Sequence, residues 1–170
     1  YVFSIVKINV HYVHYVHLWY NRARKGVSKM LTVNATDVRK DWGEFIDSIV
    51  REKPKVIKRS RDYIVAISLE MLREVLVLEK MNVKVLSEDD GSVSAVIEEL
   101  DVMANAQSEE QVIQELADDA VEYANDYYND FSYWYSAPNR KKHLPYVLAI
   151  LVREPQDVAK ELFVCQAGKN

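Results

Sequence analysis

The sequence predicts an α+β protein in which a small β-α-β-β-α domain, residues 30–79, precedes a β-β-β-α domain, residues 80–170. Two observations predict this class. An apolar stripe at helical spacing follows a short β-prone run, and β-prone segments recur in two groups separated by turn residues. With 170 residues, of which 49% are hydrophobic, the chain can bury a core.

Composition excludes several classes of protein. No apolar run approaches the roughly 20 residues of a membrane-spanning helix. Cys165 is the only cysteine, so an intrachain disulfide and a cysteine-based zinc site are both excluded. We therefore expect a protein of the reducing cytoplasm.

The first domain is predicted to begin with a strand over residues 31–34. Asn34 then caps a helix that runs to about residue 52, and two β-prone runs, 56–59 and 63–68, form a hairpin before a second helix over 69–79. About fifty residues bury their apolar faces poorly, so we expect this domain to dimerise. The first helix is amphipathic, with Trp42 interpreted as a core residue, and its stripe contains Val38, Trp42, Phe45 and Ile49.

The second domain is predicted to open with a small antiparallel sheet. Three β-prone runs cover residues 83–87, 93–97 and 102–106, and the turn at 89–91 joins the first two. A capping box at 108–111 then starts a long helix that ends near residue 131. An apolar segment, 144–152, and a last helix from 155 to about 163 complete the chain.

Residues 1–29 are interpreted as an extension of these domains. Their triplet repeat places His11, His14 and His17 at a spacing that could bind a transition metal on a helix. The β-branched and aromatic residues between them disfavour that helix, and no carboxylate accompanies them, so we predict no metal site. A further hypothesis is that the native protein starts at Met30.

Charge is segregated along the chain. Residues 21–61 contain 12 basic and 5 acidic side chains, whereas residues 85–139 contain 14 acidic side chains and no Lys or Arg. This asymmetry is expected of a chain that contacts a polyanion with one half and a basic protein with the other. The alternative is that both halves are ordinary solvated surfaces.

The segment MLTVNATDVRKDWGEFIDSIVREKPKVIKRSRDYIVAISLEMLREVL resembles the N-terminal domain of Phd/YefM antitoxins. The resemblance implies a dimer that binds operator DNA through an arginine near the start of the first helix and another at the end of the second strand. By this resemblance, those positions are Arg39 and Arg59 in this chain. Their chemistry agrees, because guanidinium groups can fork onto phosphate or guanine edges. We expect Lys40, Lys58 and Arg61 to be phosphate-contacting neighbours.

Residues 80–135 resemble the partial RNase H-like fold of HicB-type antitoxins, in the run DGSVSAVIEELD followed by NAQSEEQVIQELADD. HicB relatives carry Pro-Gly after the leucine and a Gly or Thr before the helix. This chain has Asp101-Val102 and Gln107-Ser108 at those places, so it departs from the pattern in both loops.

The acidic helix and the aromatic tract after it are candidates for binding a basic toxin. Carboxylates there would bind the cations of the toxin that otherwise hold RNA phosphates. Aromatic side chains supply binding hot spots. Core packing and an RNA-stacking platform are the alternatives for the aromatic residues, and the acids oppose RNA. The candidate toxin-binding residues are Asp118, Asp119, Glu122, Asp126, Tyr127, Phe131 and Trp134.

The segment Arg140-Lys141-Lys142-His143 is interpreted as neutralising the acidic helix or solvating a loop, with nucleic-acid contact as the alternative.

No catalytic arrangement stands out. The chain has no glycine-rich phosphate loop and no local Ser-His-Asp or Cys-His set, so we predict no enzyme and no cofactor. We expect an antitoxin that neutralises a small RNase and represses its own operon as a homodimer. The alternatives are a transcriptional regulator that senses a small ligand, and a metal-dependent nuclease using the carboxylate pairs of the acidic helix.

Overall fold

The computed structural model describes residues 30–167 and divides into two compact units, the first ending at Ser68 and the second beginning at Leu69. The predicted extension, its histidines and the hypothesis of a start at Met30 lie outside the described residues. The division falls before the predicted boundary at residue 79, because Leu72 and Leu76 pack into the core of the second unit.

The first unit is a three-stranded sheet with two helices. Strand β1 pairs parallel with β2, which pairs antiparallel with β3, in the order β1-β2-β3. The elements are β1 (Thr32–Asn34), α1 (Ala35–Lys40), α2 (Trp42–Arg51), β2 (Lys55–Arg59) and β3 (Asp62–Ala66).

The predicted first helix is divided at Asp41, whose backbone angles, φ −123° and ψ 50°, are not helical. Val38, Phe45 and Ile49 are buried together, as their spacing predicts. Trp42 is not among them: its side chain is 59% exposed. Because the helix is interrupted at Asp41, the step from Val38 to Trp42 is not one helical turn, and Trp42 does not join the buried face. The prediction that Trp42 is a core residue is wrong.

The hairpin between β2 and β3 closes tightly. Arg59 pairs with Asp62, which leaves a two-residue loop of Ser60 and Arg61. Ser60 adopts φ +54°, the left-handed conformation that two-residue hairpin loops use at their first position. The loop therefore holds Arg59 and Arg61 close together at the tip of the hairpin.

The second unit packs helices on one four-stranded sheet. Its strands are β4 (Met81–Ser87), β5 (Val93–Ile97), β6 (Val102–Ala106) and β7 (Phe163–Ala167). Its helices are α3 (Leu69–Val75), α4 (Glu109–Asn129), α5 (Phe131–Ser136), α6 (Leu144–Leu151) and α7 (Val158–Leu162). Short 3-10 turns lie at Leu76–Leu78, Lys141–His143 and Pro155–Asp157.

The sheet order is β6-β5-β4-β7, and β7 pairs parallel with β4, placing Phe163 opposite Met81. The three predicted strands form the predicted antiparallel part. No strand was predicted after the last helix, because the pairing partner of β7 lies about eighty residues away in the chain.

The core of the second unit lies between this sheet and α4. The buried face of α4 contacts β5, β6, α6 and α7, and it presents Val112, Leu116, Ala120, Ala124 and Tyr127. The opposite face of α4 is left exposed to solvent.

Ser108 caps α4, as the capping box predicts: its hydroxyl accepts a hydrogen bond from the backbone N–H of Gln111 at 3.3 Å. We expect Ser108→Ala to lower the free energy of unfolding by about 1 kcal/mol, since one N–H of the first turn loses its partner. Urea unfolding measures this loss. Gln107→Ala, one residue outside the helix, is the control, and equal losses in both variants would contradict the cap.

Within residues 30–167, no helix combines the length and hydropathy needed to cross a membrane.

Candidate functional site

Three of the five predicted DNA-binding residues line one cavity of the first unit. The cavity has a volume of about 700 Å³. Its walls are the β1–α1 junction and the end of β2, which the pairing of Asn34 with Lys58 places side by side. We call it the basic groove; its lining residues are Asn34, Ala35, Thr36, Asp37, Val38, Arg39, Ile57, Lys58, Arg59 and Ser60.

The arginines of this region are exposed and unneutralised. Within the described part of the chain, Arg39, Arg59 and Arg61 form no ion pair with another residue, although acidic side chains lie nearby in sequence. Lys40 differs, because its ammonium group lies 3.9 Å from the Asp37 carboxylate. Lys40 and Arg61 lie outside the lining of the groove. Unpaired, exposed guanidinium groups are free to bind phosphate.

The first unit also carries uncovered apolar surface. Trp42, Ile46 and Val50 repeat every four residues along α2 and are exposed, as are the three central residues of β3, Tyr63–Val65. Exposed apolar side chains on α2 and β3 make these two elements candidate interaction surfaces.

Three of the four predicted toxin-binding carboxylates share one face of α4 with Glu115, which was not predicted. Glu115, Asp119, Glu122 and Asp126 follow one another at spacings of four, three and four residues, and all four are exposed. We call these four the acidic stripe. Asp118 lies beside it, where its carboxylate accepts a hydrogen bond from the Gln114 amide at 3.1 Å. Among residues 30–167, no group of three or more His, Cys, Asp or Glu side chains could hold a metal ion.

The predicted aromatic contacts divide into buried and accessible residues. Tyr127 is fully buried, and its hydroxyl donates to the carbonyl oxygen of Arg140 at 3.1 Å. Its ring stacks with Trp134 at 6.0 Å and meets Phe131 edge-on at 6.0 Å. Tyr127 is therefore a core residue with no surface left for a partner. Trp134 is half-buried, and Phe131 is 39% exposed.

The basic segment after α5 has a structural role that the sequence did not indicate. Arg140 donates to the carbonyl oxygen of Leu100 at 3.3 Å, and its guanidinium lies 3.7 Å from the Asp101 carboxylate. The same group lies over the rings of Tyr123 and Trp134, at 5.8 and 5.9 Å from their centroids. Arg140 thus joins the β5–β6 turn to the aromatic residues of α4 and α5, and it does not neutralise the acidic stripe.

His143 is fully buried beside this cluster. Its Nδ1 lies 2.8 Å from the Tyr123 hydroxyl, and no residue in the described part of the chain hydrogen-bonds with its Nε2. Burial lowers the pKa of His143 below its ordinary value of about 6.5, and the positive charge of Arg140 lowers the pKa further.

This depressed pKa predicts acid sensitivity. As the pH falls below about 6.5, the unfolded chain takes up a proton that the folded chain resists, so the free energy of unfolding falls between about pH 7 and pH 5. We expect the thermal midpoint to fall less over this range in His143→Gln than in the unaltered protein. Parallel pH curves for the two proteins would contradict the prediction. The ionisable groups that face His143 among the described residues are Asp101, Tyr123, Arg140 and Lys142.

Two comparisons with known proteins both found antitoxins. Residues 30–164 match the profile of a PHD-like family, described as the antitoxin of a toxin–antitoxin, RelE/RelB, system. A crystal structure from Syntrophomonas wolfei subsp. wolfei, described as the antitoxin part of a proposed toxin/antitoxin system, is also similar. It is 37% identical in sequence, with a TM-score of 0.77, and the similarity covers 82% of this chain and 100% of that one. No protein of curated function matches the chain.

Proposed function

Because the chain belongs to the PHD-like family of antitoxins, and so has a cognate toxin as partner, we propose that it neutralises a basic toxin by direct binding and represses its own operon. The first unit would bind operator DNA as a dimer, and the second would cover the toxin. Neither role requires catalysis or a cofactor.

The observation that carries the DNA-binding role is the set of unpaired cations around the basic groove. Arg39 and Arg59 come from different elements, yet both line the groove together with Lys58. Each cation that neutralises a phosphate releases a counterion, which gives affinity for any duplex. The charge of the groove therefore supports DNA binding by this unit, which we propose to be of the Phd/YefM type.

The exposed apolar side chains of α2 and β3 support dimerisation. Burial of these side chains against a second copy would remove their apolar surface from water and so stabilise a dimer. A two-fold dimer presents two basic grooves, which suits an operator with two related half-sites. We propose residues 30–79 as the dimerising, DNA-binding part.

The acidic stripe supports the toxin-binding role. Its carboxylates are exposed, and the nearest cations in the sequence, Lys84 and Arg140, lie outside residues 85–139. A small RNase must hold its RNA with cations, and a row of carboxylates complements such a surface. We propose that residues 80–170 cover the toxin through Asp118, Asp119, Glu122, Asp126, Phe131 and Trp134, on a HicB-like unit.

Co-expression with the neighbouring reading frame tests this function. We expect the neighbour's product to be basic, to arrest growth when expressed alone and to co-elute with this chain when both are present. The co-eluting complex or the free chain should shift a duplex from the promoter region. A chain that shifts this duplex but neither rescues growth nor retains the neighbour would be a repressor without a toxin, contrary to the proposal.

A further inference from the structure

The basic groove contains three uncharged polar side chains that take no part in the proposed phosphate contacts. Asn34, Thr36 and Ser60 all line the groove, and all are exposed. Phosphates are the same in every duplex, so contacts to phosphate cannot select an operator. Hydrogen bonds to base edges can select one, and amide and hydroxyl side chains provide such bonds, as guanidinium groups do.

Asn34 and Thr36 each lie beside a cation of the groove. Asn34 pairs with Lys58 across the parallel strands. Thr36 precedes Arg39 by three residues on α1, so the two side chains share a face of the helix. A duplex held by these cations would therefore lie within reach of the neighbouring amide and hydroxyl groups.

Both side chains retain hydrogen-bonding capacity. None of the described residues hydrogen-bonds with the Thr36 hydroxyl. The Asn34 amide donates to the Asp37 carboxylate at 3.5 Å, a long contact that DNA could replace. An asparagine amide can bond adenine at two positions, and a threonine hydroxyl can bond any base.

Asp37 places a carboxylate among the cations of the groove. Its side chain is 61% exposed. A carboxylate repels phosphate, but it accepts a hydrogen bond from the amino group of cytosine. The Asp37 carboxylate is therefore compatible with a base edge at this part of the groove and disfavours a phosphate there.

We propose that Asn34 and Thr36 determine the operator sequence by hydrogen bonding to base edges, while Arg39 and Arg59 supply affinity for any duplex. This inference rests on the proposed function, because it requires that the first unit binds DNA. It divides the groove into residues that hold the backbone and residues that read the sequence.

The test compares two duplexes of equal length and base composition. One is the region immediately upstream of this reading frame, and the other is its scrambled sequence. We expect Thr36→Val and Asn34→Ala each to lower the ratio of the two affinities by about tenfold, with little change for the scrambled duplex. Thr36→Ser should retain the ratio because it keeps the hydroxyl. Thr32→Val, an exposed threonine of β1 outside the groove, is the matched control.

The possible failures are distinguishable. If the unaltered protein prefers its upstream duplex and both Thr36→Val and Asn34→Ala keep that preference, the inference is wrong while the proposed function stands. If the unaltered protein does not distinguish the duplexes, the proposed repression of the operon is itself wrong. Thermal unfolding verifies the fold of each variant, and Thr36→Val decides the matter if Asn34→Ala does not fold.

Discussion

Replacing Arg39 and Arg59 together by alanine is expected to weaken binding to the promoter duplex by about a hundredfold or more near physiological salt. The double substitution removes two phosphate-binding cations from each subunit and four from a dimer. The slope of log affinity against log salt should therefore become shallower by roughly four. Both side chains are exposed and unpaired among the described residues, so the fold should not change.

The matched control is Arg51→Ala with Lys53→Ala. These two cations are exposed in the same unit, outside the basic groove, and their loss changes the net charge equally. Fluorescence anisotropy over a salt series measures both affinity and slope. An equal loss in the two double variants would show that net charge, and not the groove, governs binding.

Reversing the acidic stripe is expected to abolish capture of the toxin. Asp119→Lys, Glu122→Lys and Asp126→Lys together place three cations where the proposed complex requires carboxylates, and like charges across an interface cost several kcal/mol. Retention of the co-expressed neighbour on an affinity column measures the effect, and survival of the co-expressing cells measures it independently.

A second triple variant separates position from net charge. Glu74→Lys, Glu88→Lys and Asp89→Lys change exposed residues of the same unit away from α4 and leave the same net charge. We expect this variant to retain the toxin. If both triple variants lost the toxin, or if both retained it, the acidic stripe would not be the toxin-binding surface.

Local patterns predicted most elements of the fold. The spacing of Val38, Phe45 and Ile49 predicted that these three residues are buried together, although they lie on two helices. The capping box at Ser108 located the start of the longest helix. Such signals depend on neighbours within a few residues. The pairing of β7 with β4 depends on residues far apart in the chain, so its strand could not be inferred from a short apolar run.

Some features of the candidate sites follow from the sequence, and others depend on the tertiary structure. Exposed charges at helical spacing, as in the acidic stripe, follow from the periodicity of α4 alone. The burial of Tyr127 could have been inferred, because it continues the apolar stripe of α4. The exposure of Trp42 could not, since it depends on the break at Asp41. The convergence of Arg39 and Arg59 likewise required the sheet that brings β2 beside α1.

The central claim is that the two units bind partners of opposite charge independently. A size-exclusion experiment with the promoter duplex, the co-expressed neighbour and this chain tests it most directly. The Arg39→Ala/Arg59→Ala variant should elute with the neighbour but without DNA, and the triple lysine variant of the acidic stripe should elute with DNA but without the neighbour. If either variant lost both partners, the claim would be wrong. It would also be wrong if both variants retained both partners.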